Sequence, residues 1–144
     1  MMLLGNLPLR DELGVAMVTV TVAEILRIAL PPGTALVAGR GGLDREVTWA
    51  YALKNRPLSF DLVERGELAL LAMLDSGQPG RKPRLKQVIR RLSERGVSAL
   101  ALAGDIGQEA RLEADELSLP VLSLPPDTDL QAIEKTVVGL IVDR

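Results

Sequence analysis

The chain has 144 residues, a formal charge of −2, and neither cysteine nor histidine. This excludes a thiolate nucleophile, an imidazole base, a disulfide and the usual zinc ligands, leaving any catalysis to carboxylates, Lys, Ser, Thr or Tyr. Trp49, Tyr51 and Phe60 are the only aromatic residues, so the core is aliphatic, stacking platforms for bases are scarce, and the near-neutral charge gives no global pull toward nucleic acid or anionic membrane.

A chain of this length is expected to form one domain. No apolar run reaches the ~18 residues that suggest a membrane-spanning helix. Met1–Leu4 lack the basic leader and full apolar region of a signal peptide, so a cytoplasmic protein is expected. Residues 1–17 read as a flexible extension, and Met17, just before the first helix signal, is an alternative start to Met1.

Thr21-Val22-Ala23-Glu24 has the spacing of a capping box and predicts a helix over Val22–Ile28, stopped by Pro31-Pro32-Gly33. Thr34–Ala38 reads as a strand ending at Gly39-Arg40-Gly41-Gly42. Val47–Leu53 is the next strand, with Val47, Trp49, Tyr51 and Leu53 alternating against Thr48, Ala50 and Ala52. Asp61–Arg65 suggests one or two helical turns ended by Gly66. Glu67–Met73 and Val97–Ala103 are continuous apolar runs, the pattern of strands covered on both faces. Residues 75–83 form the strongest loop signal, expected to be mobile. From Pro83 a helix follows with Leu85, Val88, Ile89 and Leu92 on one face. A second helix within Gly104–Ser118 carries Ala110, Leu112, Ala114 and Leu117, and Pro120–Leu124 is a short strand. Thr128-Asp129-Leu130-Gln131 opens an amphipathic terminal helix with Leu130, Ile133, Val137, Leu140 and Ile141 along one side. The alternation predicts an α/β fold: a single domain with a mixed or largely parallel sheet, flanking helices in βαβ units and a C-terminal helix.

The glycines at 39–42 read as a tight hairpin more than a phosphate cradle, because dinucleotide and P-loop motifs run from strand to helix and here another strand follows. Asp44 and Arg45 either pair across that turn or face a ligand. The segment Arg81, Lys82, Arg84, Lys86, Arg90, Arg91 and Arg95 is basic, and Glu109, Glu113, Asp115 and Glu116 on the next helix can offset it. A solvated surface fits it better than a nucleic-acid site, since a buried-type strand follows and not the second helix of a helix-turn-helix. Asp105, in Gly104-Asp105-Ile106-Gly107, lies where α/β proteins often bind ligands, although a helix cap is the commoner role. Glu67 stands at the mouth of an apolar strand, where a carboxylate must stay solvated or find a partner.

Taken in order, Thr21-Val22-Ala23-Glu24-Ile25-Leu26, Gly39 through Trp49, Arg65-Gly66-Glu67-Leu68, Leu92 through Leu100 and Glu116-Leu117-Ser118-Leu119-Pro120-Val121-Leu122 resemble the PucR-like domain family, over about residues 19–140. That family is the amino-terminal module of bacterial purine catabolism regulators. The resemblance implies a sensory or interaction domain of a transcription regulator, normally followed by a helix-turn-helix domain. The chain departs from the family pattern at Leu71-Ala72-Met73-Leu74 and at Lys54-Asn55-Arg56, both where a ligand pocket would open, so the resemblance does not assign a purine.

The expected partition is therefore a flexible extension (1–17), a regulatory α/β domain (18–128) and a C-terminal helix (129–144) that packs on the sheet, joins a dimer or links onward. The expected site for a small-molecule effector or regulatory protein partner comprises Asp44, Arg45, Lys54, Asn55, Glu67 and Asp105, with no catalytic residues, metal or cofactor, no membrane contact and no direct DNA binding. Two other readings remain open: a carboxylate-based transferase or hydrolase using Glu67 or Asp105, and nucleic-acid binding through residues 81–95.

Overall fold

In a computed structural model, residues 19–53, 63–72, 85–104 and 106–143 are described. The elements are α1 (Val22–Ile28), β1 (Ala35–Ala38), β2 (Trp49–Ala52), β3 (Glu67–Ala72), α2 (Leu85–Glu94), β4 (Ala99–Ala103), α3 (Gln108–Leu117), β5 (Val121–Leu124) and α4 (Leu130–Val142). The expectations for Asp61, Pro83 and the 75–83 loop lie outside the described residues.

The sheet order is β1-β5-β4-β3-β2. Strands β2 to β5 are parallel and β1 runs antiparallel on β5. The mixed sheet matches the expected fold class, and its apolar runs explain the layering. On β3, Ala69 and Leu71 face one side while Leu68 and Leu70 face the other; on β4, Leu100 and Leu102 alternate with Ala99, Ala101 and Ala103. One face packs on α2 through Val88, Ile89 and Leu92 and on α3 through Ala110 and Ala114. The other packs on α1 through Val22 and Ile25 and on α4 through Ile133 and Val137. Each fully buried leucine here contributes roughly 1.5–3 kcal/mol of apolar transfer.

The start of α1 has a full set of partners. Thr21 Oγ1 accepts from Glu24 N–H and Glu24 Oε1 accepts from Thr21 N–H, completing the expected capping box. The next two donors, Val22 N–H and Ala23 N–H, are taken by the carbonyls of Arg45 and Leu43. All four orphan donors of the helix start are thus satisfied, two of them by a distant part of the chain.

That distant part corrects one expectation. Gly39–Gly42 does not turn a hairpin: β1 and β2 occupy opposite edges of the sheet. Arg40–Gly42 form a single 3-10 turn, and residues 39–48 then cross the sheet beneath the amino ends of β5, β4 and β3. The glycines serve contact, because a Cβ on Gly39 would lie 1.9 Å from Leu119 O and one on Gly42 2.5 Å from Ser118 O. Gly39 also has φ +75, and its N–H donates to Asp115 Oδ1 at 2.8 Å.

The faces of α3 are sorted by the structure. Leu112 is 57% exposed, whereas Glu113 is buried beside Ala110 and Ala114. Glu113 Oε2 accepts from Arg90 Nε at 3.0 Å, so the acid on α3 does meet the basic face of α2.

Gly39→Ala combines a left-handed backbone with a backbone clash and is expected to cost about 2–5 kcal/mol. Gly41→Ala, whose Cβ would sit 3.5 Å from Ser118 Oγ, should stay within about 0.5 kcal/mol. Urea unfolding followed by circular dichroism measures both.

Candidate functional site

Of the six expected site residues, three are described, and they lie at one end of the sheet. Asp44, Arg45 and Glu67 lie at the amino ends of the parallel strands. Lys54, Asn55 and Asp105 lie outside the described residues, and their described neighbours, Leu53 and Gly104, lie at the carboxyl ends.

At the amino end the groups are engaged with the fold. Arg45 Nη1 donates to Val97 O at 3.3 Å and Nη2 to Leu117 O at 3.5 Å, so one guanidinium joins the chain just past α2 to the last residue of α3. It does not pair with Asp44, which is exposed. The buried Ser98 hydroxyl donates to Glu46 O, and Ser98 N–H donates to Glu67 O at 2.9 Å. Thr48 N–H donates to Gly66 O and Gly66 N–H to Gly96 O, both at 2.9 Å. Arg95 Nε, one of the basic residues weighed for nucleic acid, donates to Val63 O at 3.0 Å.

Glu67 is half-buried, and its Oε1 accepts from Glu64 N–H at 3.3 Å. Burial pushes its carboxyl above the ordinary value; the hydrogen bond from Glu64 opposes this and the Glu64 charge adds to it. Glu113 moves the other way, held below the usual range by the Arg90 hydrogen bond and charge.

At the carboxyl end the connections diverge. After β4 the chain runs to α3 on one face; after β5 it runs to α4 on the other. Adjacent strands whose connections leave in opposite directions open a crevice between them, the usual ligand position in α/β sheets. Its floor is tied together: Gly104 N–H donates to Leu124 O at 3.2 Å, and Ser123 Oγ donates to Gly104 O at 2.8 Å. One wall is the start of α3. Its N-cap is Gly107, with φ +83 and no side chain of its own to cap the helix; the capping role expected of Asp105 falls on a residue outside the described ones. A Cβ on Gly107 would meet nothing within 4 Å, so the space before the helix is open. The other wall, Pro125–Asp129, is closed on itself: Thr128 Oγ1 donates to Pro125 O, and Asp129 Oδ1 accepts from Gln131 N–H and Ala132 N–H. Sequence reasoning singled out Gly104–Gly107 but missed this second wall, since the divergence to opposite faces becomes visible only once α3 and α4 are placed.

Among the described residues no group of three or more acids could hold a metal ion, and no helix is long and apolar enough to cross a membrane.

The Glu67 shift predicts a pH dependence. The folded state binds this proton more tightly than the unfolded chain, so its contribution is full below 4.5 and is lost as pH rises through the raised folded value. Glu67→Gln should flatten that decline and leave stability at pH 7 equal or higher, read as the urea midpoint against pH. A lower midpoint for the variant at pH 7 would show that the charge is stabilising.

The described geometry accords with comparisons to known proteins. No curated protein matches the chain at a significant level of sequence similarity. Six chains of solved structure match. One is the CBS and DRTGG regulatory region of Clostridium perfringens pyrophosphatase, complexed with its activator diadenosine tetraphosphate. The likeness has TM-score 0.50 and 12% identity, over 74% of this chain and 42% of that one. The present chain therefore spans less than half the length of that regulatory region, and the likeness is one of fold. The purine catabolism regulatory protein-like family model matches residues 24–141. That range takes in most of α1, the crossing segment, all five strands and nearly all of α4, and the chain belongs to the purine catabolism regulatory protein-like (PucR) family.

Proposed function

We propose that this chain is a cytoplasmic, non-catalytic sensing module of a bacterial transcription regulator, and that it binds a small metabolite in the crevice outside the carboxyl ends of β4 and β5. The observation that carries the reading is the divergence of the β4 and β5 connections to opposite faces, which opens a crevice beside the start of α3, where Gly107 supplies no capping side chain and the helix N-terminus suits an anionic group. Family membership supports the regulatory role, and a neighbouring fold that serves a nucleotide-activated enzyme is consistent with effector binding. Asp105, which the sequence places beside Gly104, is the proposed contact at the crevice itself; Lys54 and Asn55 follow Leu53 at the end of edge strand β2, beyond β3, and are proposed to reach the effector from there. Arg45 and Glu67 bond within the fold at the other end of the sheet, and Asp44 is exposed there. DNA contact falls to a helix-turn-helix domain of the kind the family resemblance implies.

Thermal unfolding across a panel of nucleobases, nucleotides, sugar phosphates and carboxylic acids tests this. A true effector at 100 times its Kd stabilises by about 2.7 kcal/mol. The stabilisation should vanish in Lys54→Ala and Asp105→Ala and persist in Asp44→Ala. An effector whose action depends on Asp44 but not on Lys54 or Asp105 would move the site to the other end of the sheet.

A further inference from the structure

The outer side of α4 is built to be covered. Only Glu134 and Lys135 are charged among its thirteen residues, and a helix apolar on nearly all sides is normally buried. The sheet takes one side, through Ile133 and Val137. The opposite side, together with Trp49 of edge strand β2, lines an open groove of about 440 Å³ that includes Glu134, Lys135, Val138, Gly139, Val142 and Asp143, with Glu134 held by the Ala52 N–H. Trp49 is 43% exposed and Val142 63%.

Gly139 lies in the helix interior, where glycine is less stable than alanine. Nothing in the chain requires it: a Cβ there would meet no atom within 4 Å. A glycine with no internal use fits the close approach of another backbone. The charges indicate which one. Lys135 and Asp143 stand four residues to either side of Gly139, and neither forms an ion pair with another described residue. This pattern is complementary to itself when reversed, as a two-fold contact requires. Strand addition at β2 is disfavoured, because Glu134 Oε2 already takes the Ala52 N–H at 3.2 Å.

We propose that two copies of this chain form a two-fold dimer in which the α4 helices cross antiparallel at Gly139. Lys135 pairs with the partner subunit's Asp143, and Asp143 with the partner's Lys135. Val138, Val142 and Trp49 fill the groove between them. This interface is separate from the carboxyl-end crevice and does not depend on the effector reading.

Sedimentation and light scattering of the full chain, with far-UV circular dichroism as a check of folding, test it. The wild type should be dimeric. Lys135→Glu alone and Asp143→Lys alone should each associate at least tenfold more weakly. Mixed one to one, these two variants should form a heterodimer, and the doubly exchanged Lys135→Glu/Asp143→Lys protein should regain the dimer. Gly139→Leu, which has room in its own chain, should stay folded and become monomeric. A wild type that remains monomeric up to about 1 mM overturns the proposal, since an interface of ordinary size would associate there. So does a dimer indifferent to the charge variants, and so does a groove found covered by another segment of the same chain or by a different protein.

Discussion

The fold depends on the passage of residues 39–48 beneath the amino ends of the parallel strands. The segment begins against Ser118–Pro120, where Gly39 and Gly42 let two backbones touch. It then contacts Leu117 and Val97 through Arg45, Ser98 through the Glu46 carbonyl, and Gly66 through Thr48 N–H. Along the way its carbonyls cap α1. A parallel sheet leaves its amino-end connections with unpaired backbone groups, and such groups are costly when buried. Here one extended segment satisfies several connections at once, and in doing so carries the chain from one edge of the sheet to the other.

This arrangement divides the molecule by function. The amino end is tied by side-chain and backbone bonds whose partners are often more than 50 residues apart. Those bonds use Arg45 and Ser98, so polar side chains there hold the structure together. The carboxyl end has a short, tied floor beside the start of α3, where Gly107 supplies no capping side chain. A rigid end opposite a less engaged one is the distribution that suits the proposed binding role.

Much of the fold is legible locally. The spacing of Thr21 and Glu24 specifies a capping box without reference to anything distant, and the apolar runs at 67–73 and 97–103 demand cover on both faces. What is not legible is nonlocal. The glycines at 39 and 42 read as a hairpin because their true partner, the Ser118–Pro120 backbone, is more than 70 residues away. Leu112 is one of four apolar residues the sequence shows on α3, yet it faces out, while small Ala110 and Ala114 face the sheet and let Glu113 tuck in beside Arg90. For the site, the charged residues stand out in the sequence, but which end of the sheet each reaches follows only from the parallel pairing of β2, β3 and β4. Arg45 is the clearest case: a charged residue in a turn suggests a ligand contact, and its guanidinium is occupied by the carbonyls of Val97, just before β4, and Leu117, at the end of α3.

The central claim is that effector binding is a carboxyl-end event. Amide hydrogen exchange with and without a stabilising metabolite tests it most directly. The account predicts added protection in residues 104–111 and 125–132, with residues 39–48 and 63–67 unchanged. Added protection confined to residues 39–48 would contradict it.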